Sequence, residues 1–397
     1  MGIMAVPVIA GIGTAHPPSA DQGELWEGFF ARHFSGTTRA LAQRIFANSG
    51  VNRRQAAVNP VLEDVSDWST ERRMRRYQVE ALPLGKEAVG RALTAAGLAA
   101  GDVGLFVVCS CTGYATPGLD ILLARDLGMA PGTQRVFVGH MGCYAALPGL
   151  GVASDFVTAR GRPALLLCAE LTSLHIQPST ARVDTQQIVS HALFSDAAVA
   201  AVVVPGGPGY GVREVASVTD TSTADHMTWD VTDVGFRMGL SPKVPQVLST
   251  QVRALVDGLL ARHGTRRSEV DGWAVHPGGP RILNVVEREL ALPSAALAAS
   301  RETLAEHGNC SSPTVLLVLD RLYRALTPPG RVVMLAFGPG LTLYAGLLER
   351  SAGEAGQLGF EVGGGAELGE HLPHRAGAVH EQRADHAGSG RQAEEGA

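Results

Sequence analysis

The feature that most constrains how this chain can fold is an alternation of two hydrophobic periods, and it occurs twice. GLFVVCS, QRVFVGH, PALLLCAEL, AAVAAVVVP, DGWAVHP and GRVVMLAFG are apolar runs rich in β-branched residues. Each is about five to seven residues long, the pattern of strands buried on both faces. Between them lie amphipathic stretches at Leu82–Ala99, Gly118–Leu127, Tyr144–Thr158, Val247–His263 and Pro313–Leu326. Strands alternating with helices predict an α/β architecture. The same order of elements recurs on either side of the glycine- and proline-rich PGGPGYG at Pro205–Gly211, which predicts two similar halves, 1–205 and 206–350. From Ser351 the chain becomes glycine-rich, charged and poor in core formers, so a disordered tail is expected over 351–397.

With 397 residues, 45% of them hydrophobic, the chain can bury a large core. A net charge of −5 without blocks of one sign points away from nucleic acid and from anionic membrane surfaces. No apolar run reaches the roughly 18 residues that span a bilayer. The start, MGIMAVPVIAGIGTAHPP, lacks the basic flank of a signal peptide, so a cytoplasmic location is expected. Five cysteines, an odd set with no secretion signal, predict free thiols. Cys109 and Cys111 are too close together for the usual zinc spacing, and no second pair completes a metal site.

One cysteine stands apart. In RVFVGHMGCYAALPGLGVASDFVTAR an apolar run, two glycines and an amphipathic segment put Cys143 on a turn from strand into helix. There the free N–H groups and the helix dipole favour a thiolate, although a small buried residue at a tight turn reads the same way. DGWAVHPGGPRIL ends a strand at His276 and turns at once through Pro277, Gly278 and Gly279. EHGNCSSPTVLLVL sets Asn309 on a loop just before another helix. A lone histidine is more often structural and an asparagine before a helix is usually a cap. Three such residues at element ends, however, form a set suited to nucleophilic catalysis.

GCYA around Cys143, HPGG at His276, GNCSSP at Asn309 and FGPGLT at Phe337–Thr342 together resemble the four signature segments of the type III polyketide synthases, the chalcone and stilbene synthase superfamily. The resemblance runs from about Val6 to Leu348. A ketoacyl-ACP synthase III carries His-Gln-Ala-Asn where this chain has His-Pro-Gly-Gly, and the second catalytic cysteine of a biosynthetic thiolase is missing. The resemblance implies a thiolase fold, two similar α/β halves in five αβαβα layers. It also implies a homodimer paired through the region Tyr114–Pro117, with acyl-CoA and malonyl-CoA as substrates and neither metal nor organic cofactor. Cys143, paired with His276 and held largely as thiolate, would take up the acyl group. His276 and Asn309 would hold the enolate formed when malonyl-CoA loses CO₂.

By the same resemblance, Phe194 and Phe236 match two gatekeeper phenylalanines between the CoA tunnel and the cavity. Arg53 and Arg54 match the region that holds the CoA phosphates. Gly338, Pro339 and Gly340 match the loop at the cavity floor, and Ser311 joins the substrate-binding group. The chain departs from the plant enzymes at Cys111 and Thr112, where they carry Thr-Ser, and at Thr116, where they carry Met. His175 replaces a threonine and Ser190 a glycine. A remodelled cavity follows, and small residues near Cys111 favour an aliphatic starter and a germicidin-synthase-like alkyl α-pyrone product. Three alternatives stand beside it: a tetrahydroxynaphthalene synthase using malonyl-CoA alone, a ketoacyl-ACP synthase III-like enzyme supplied by an acyl carrier protein, and an inactive scaffold of the same fold.

Overall fold

In the computed structural model, which describes residues 6–177, 184–325 and 330–350, each half begins with a strand at the seam and ends with the strand beside it. The first half runs β1 (Pro7–Ala15), β2 (Ser19–Asp21), α1 (Gln22–Gly28), α2 (Gly36–Ala47), β3 (Arg53–Gln55), α3 (Thr70–Ala96) and β4 (Leu105–Cys109). It continues through α4 (Leu119–Leu127), β5 (Gln134–Val138), α5 (Ala146–Arg160), β6 (Ala164–Leu171), α6 (Thr185–Leu193) and β7 (Asp196–Pro205). The second half opens with β8 (Tyr210–Thr219) and the hairpin β9 (Met227–Thr232) and β10 (Gly235–Leu240). Then come α7 (Val244–Arg262), β11 (Gly272–Val275), α8 (Pro280–Leu290), α9 (Ala298–His307), α10 (Pro313–Ala325), β12 (Arg331–Gly338) and β13 (Thr342–Arg350). The tail expected over 351–397 lies outside the described residues.

Among the described residues, nine strands join in the order β11-β12-β13-β8-β1-β7-β6-β4-β5. The join between halves is thin: β1 and β8 share only the pairs Val8↔Gly211 and Ile9↔Tyr210. Outward from it the halves correspond, an antiparallel pair followed by parallel strands, β6-β4-β5 on one side and β12-β11 on the other.

Side-chain alternation turns these strands into layers. Along β6, Leu165, Leu167, Ala169 and Leu171 pack on the face that carries α3, while Ala164, Leu166 and Cys168 pack on the opposite face with Leu147 and Leu150 of α5. Along β12, Val332, Met334 and Ala336 join that same central cluster, and Val333, Leu335 and Phe337 face α7 and α8. Helices α5 and α10 are therefore sandwiched between two half-sheets, with α3 and α4 outside one and α7 and α8 outside the other. This is the five-layered thiolase fold.

Helix α3 is far longer than the amphipathic stretch from Leu82 predicts. It starts at Thr70, capped by the Ser69 side chain on Arg72 N–H, and carries Pro83 in its interior. The buried stripe Arg73, Tyr77, Ala81, Leu84, Ala88, Ala92 runs straight past the proline, and packing against the sheet outweighs the missing hydrogen bond. Strand β1 is glycine-broken in sequence for a reason seen only in three dimensions. A Cβ on Gly13 would lie 2.2 Å from the Ala88 carbonyl oxygen of α3.

Candidate active site

Two of the three signature residues occupy corresponding places in the two halves. Cys143 lies on a short 3-10 turn, Gly142–Tyr144, that follows β5 and enters α5; Asn309 lies just ahead of α10, the partner of α5 in the central layer. Gly142 adopts φ +69, and a Cβ there would stand 3.1 Å from Pro339 Cδ. A Cβ on Gly338 would stand 2.9 Å from Tyr144 Cδ1. Gly338 and Pro339 thus sit against the cysteine's turn.

Asn309 is fixed on all sides. Its N–H donates to Leu193 O at 2.8 Å and its carbonyl accepts Ser195 N–H at 3.0 Å, tying it to the end of α6. Its Oδ1 accepts Ser311 N–H at 2.8 Å. That bond fixes the amide orientation and leaves the Nδ2 donors for the cavity. His276 follows β11, where its N–H donates to Leu335 O at 2.7 Å, and Pro280 starts α8 directly beyond. The imidazole packs edge-on against Phe337, with 5.6 Å between ring centres, and is 1% exposed. Both of its nitrogens, Nδ1 and Nε2, lack a hydrogen-bond partner.

Cys143, His276 and Asn309 all line one cavity of about 890 Å³, together with Phe194, Met238 and Phe337. Burial pushes the Cys143 thiol up to about 12, against the pull of hydrogen bonds with the Ser311 and Asn309 side chains. Burial pushes His276 down to about 3. Both shifts favour the uncharged forms, in the direction opposite to the thiolate that the resemblance implies, and desolvation is the cause that leads in each.

The wall behind Cys143 is built on Glu170, which sequence reading passed over. Its carboxyl accepts from Cys111 N–H at 3.0 Å, Thr112 Oγ1 at 2.8 Å and Ser312 Oγ at 3.0 Å, and meets the Cys111 thiol at 3.4 Å. Burial raises it to about 7 in spite of these donors. A lone carboxylate in the otherwise apolar run PALLLCAEL was the available signal. Next to it His175 is wedged between rings, stacked on Phe236 at 4.5 Å between centres and edge-on to Trp229. Trp229 donates its indole N–H to Cys111 O at 2.8 Å. No local pattern in the sequence announces that tryptophan.

Phe194 borders both the Cys143 cavity and the small pocket behind it, but the residue that shares this position is Met238. Phe236 borders the pockets on the far side, beside His175 and Cys111. Arg54 is buried, and its guanidinium serves the carbonyls of His191 and Phe194, so it is not free to meet a phosphate. Arg53 is exposed and donates to Ser19 Oγ at 2.9 Å. The arginines that line the Cys143 cavity are Arg44 and Arg281. Ser190 lines the small inner pocket with His175, and Cys111 borders a separate cavity of about 360 Å³ near Thr116. Tyr114, in the expected pairing region, is 68% exposed. Among the described residues no cluster of side chains could hold a metal ion, and no helix is long and apolar enough to cross a membrane.

Residues 5–208 match the N-terminal domain of the chalcone and stilbene synthases, and residues 216–352 match their C-terminal domain. The chain is 35% identical over 348 residues to a 1,3,6,8-tetrahydroxynaphthalene synthase of Streptomyces peucetius, covering 84% of this chain and 90% of the relative. It is 30% identical over 361 residues to an alpha-pyrone synthesis polyketide synthase-like protein of Mycobacterium tuberculosis, covering 87% and 91%. The crystal structure of a polyketide synthase from the brown alga Ectocarpus siliculosus superposes with a TM-score of 0.82 at 29% identity, covering 88% of this chain and 100% of the other. The 1,3,6,8-tetrahydroxynaphthalene synthase of Streptomyces coelicolor superposes with a TM-score of 0.81 at 30% identity, covering 87% and 100%. With both of its halves matched and the thiolase fold shared, the chain belongs to the chalcone and stilbene synthase family, the type III polyketide synthases, which are condensing acyltransferases.

Proposed function

We propose that this enzyme loads an acyl group from acyl-CoA onto Cys143 and extends it with malonyl-CoA or a substituted malonyl-CoA, without metal or organic cofactor. The observation that carries the reading is His276: a buried ring with both nitrogens unpaired, in the same cavity as Cys143 and Asn309. In loading, the sulfur attacks the thioester carbonyl while the neutral imidazole takes the thiol proton. The bond to CoA sulfur then breaks, and the imidazolium returns the proton to it. In extension, malonyl-CoA binds with its thioester oxygen on His276 Nε2–H and Asn309 Nδ2–H. The bond to the carboxylate breaks, CO₂ leaves, and the electron pair becomes an enolate held by those two donors. The enolate carbon attacks the acyl carbonyl on Cys143 and the sulfur departs. Neutral donors suit this step, because a strong acid would quench the carbanion.

Arg44 and Arg281 at the cavity are assigned to the CoA phosphates in place of Arg53 and Arg54. An aliphatic starter and an alkyl α-pyrone product are favoured by the 360 Å³ cavity beyond Cys111, lined in part by Leu119, Leu122 and Phe137. Malonyl-CoA as sole substrate, with a tetrahydroxynaphthalene product, is the second reading. It is favoured by the His175, Trp229 and Phe236 rings, which crowd the space behind Cys111. Two copies are proposed to pair through Tyr114–Pro117, and a cytoplasmic setting supplies the CoA thioesters. Incubation with acyl-CoA and malonyl-CoA, without carrier protein, followed by mass spectrometry tests the reading. Extended products are expected. Products formed only when an acyl carrier protein is added would replace it with the carrier-dependent alternative.

A further inference from the structure

Behind Phe194 and Met238 lies a second cavity of only about 30 Å³. That is room for one or two oxygen-sized groups and not for a hydrocarbon chain. His191 and Arg54 line it, and they are 6% and 5% exposed. His191 Nε2 accepts the Gln177 N–H at 3.2 Å, and burial, with the Arg54 charge beside it, keeps the ring neutral by pushing it down to about 3. A neutral imidazole that accepts at Nε2 carries its proton on Nδ1. That Nδ1 has no partner. The Nε–H of Arg54 also has none, although Nη1 of the same side chain serves the carbonyls of His191 and Phe194. Arg54 is lowered by burial to about 10 and stays cationic at neutral pH. Two of the hydroxyls that border the cavity are already committed: Thr172 Oγ1 donates to Ser195 O and Ser173 Oγ to Asp196.

Two unmet donors, one of them cationic, belong to residues that line a space the size of one functional group, and an acceptor oxygen placed there would satisfy them. We propose that this cavity is an oxygen subsite: His191 Nδ1–H and Arg54 Nε–H hold a keto or carboxylate oxygen of an acyl chain carried on Cys143. The proposal rests on the synthase reading and adds a substrate class to it. Oxygenated acyl chains are selected here, while hydrocarbon is directed to the larger cavity beyond Cys111.

The test compares three six-carbon starters: hexanoyl-CoA, 3-oxohexanoyl-CoA and 5-oxohexanoyl-CoA. Loading onto Cys143 is timed by mass spectrometry before any malonyl-CoA is added. The wild type is expected to load at least one oxo starter faster than hexanoyl-CoA, and His191→Phe to lower that ratio about tenfold. His191→Gln, which keeps an N–H donor, should recover most of it. A ratio that is the same in the wild type and His191→Phe overturns the subsite and leaves a cavity that holds ordered water. So does an equal fall for all three starters, which would mark His191 as structural. The synthase reading fails differently, by no loading of any starter or by no extension when malonyl-CoA follows.

Discussion

His276 and His175 occupy two corners of one site, and almost every gross property is the same in both. Each is buried, and burial pushes each down to about 3. Their hydrogen bonds separate them. His175 Nε2–H donates to Thr112 O at 2.6 Å, its Nδ1 accepts Phe236 N–H at 3.0 Å, and its ring is stacked. His276 bonds with neither nitrogen. A buried polar group left unpaired costs about 1–3 kcal/mol, so a site retains one where a ligand completes it. Burial and a shifted pKa therefore do not distinguish wall from working group; the count of satisfied nitrogens does. His175 holds the wall behind Cys111, and His276 is left open for substrate.

The comparison breaks most visibly if His175 proves dispensable to the fold. His175→Ala leaves the Thr112 carbonyl and the Phe236 N–H without partners, at about 1–3 kcal/mol each, so a loss of roughly 2–5 kcal/mol is expected in urea unfolding. Stability equal to the wild type would mean that the wall does not depend on it. The wall itself is probed by Cys111→Phe. If the cavity beyond Cys111 takes the alkyl chain, four lost methylenes at about 0.8 kcal/mol each lower kcat/KM for long starters on the order of a hundredfold. Acetyl-CoA should be affected far less, and a uniform drop across chain lengths would favour the malonyl-only reading.

The smallest effect concerns what the two histidines share. Their folded pKa values lie below the ordinary histidine value of 6.5, so between pH 6.5 and about 3 the unfolded chain holds a proton that the folded chain does not. Stability is thus complete above about pH 6.5 and falls as pH drops, by about 1.4 kcal/mol per pH unit for each ring. His175→Ala and His276→Gln should each reduce that slope by the same increment in unfolding titrations between pH 6 and 4. Unequal reductions would show that something besides burial sets one of them.

Much of this site was legible in the sequence because its parts sit at element ends. Cys143, His276 and Asn309 each lie where an apolar run stops or a helix starts, and glycine, proline and serine mark those places. The order of strands and helices carried the two-half architecture for the same reason. What was hidden depends on long-range contact. The sequence showed an amphipathic stretch only from Leu82, because the stripe from Arg73 to Ala92 runs through Pro83 and is sustained by packing on the sheet. Phe236 and Met238 are two residues apart on β10, and only the folded chain shows which of them borders the Cys143 cavity beside Phe194. Trp229 reaches a carbonyl 118 positions earlier in the chain, and no local pattern encodes that. Arg54 was matched to the CoA-phosphate region, and its acceptors, the carbonyls of residues 191 and 194, are invisible in sequence.

The most direct test of the unpaired-nitrogen argument is CO₂ release from malonyl-CoA, measured together with the melting temperature for the wild type, His276→Phe and His175→Phe. Deleting an oxyanion donor usually costs about 10²–10³ in rate. His276→Phe, which keeps a ring but has no N–H, is expected to lose decarboxylation by about that factor while melting near the wild-type temperature, and His175→Phe to melt lower while keeping most of its decarboxylation. Wild-type CO₂ release from His276→Phe would contradict the account, because the enolate would then be held somewhere other than at His276 Nε2–H.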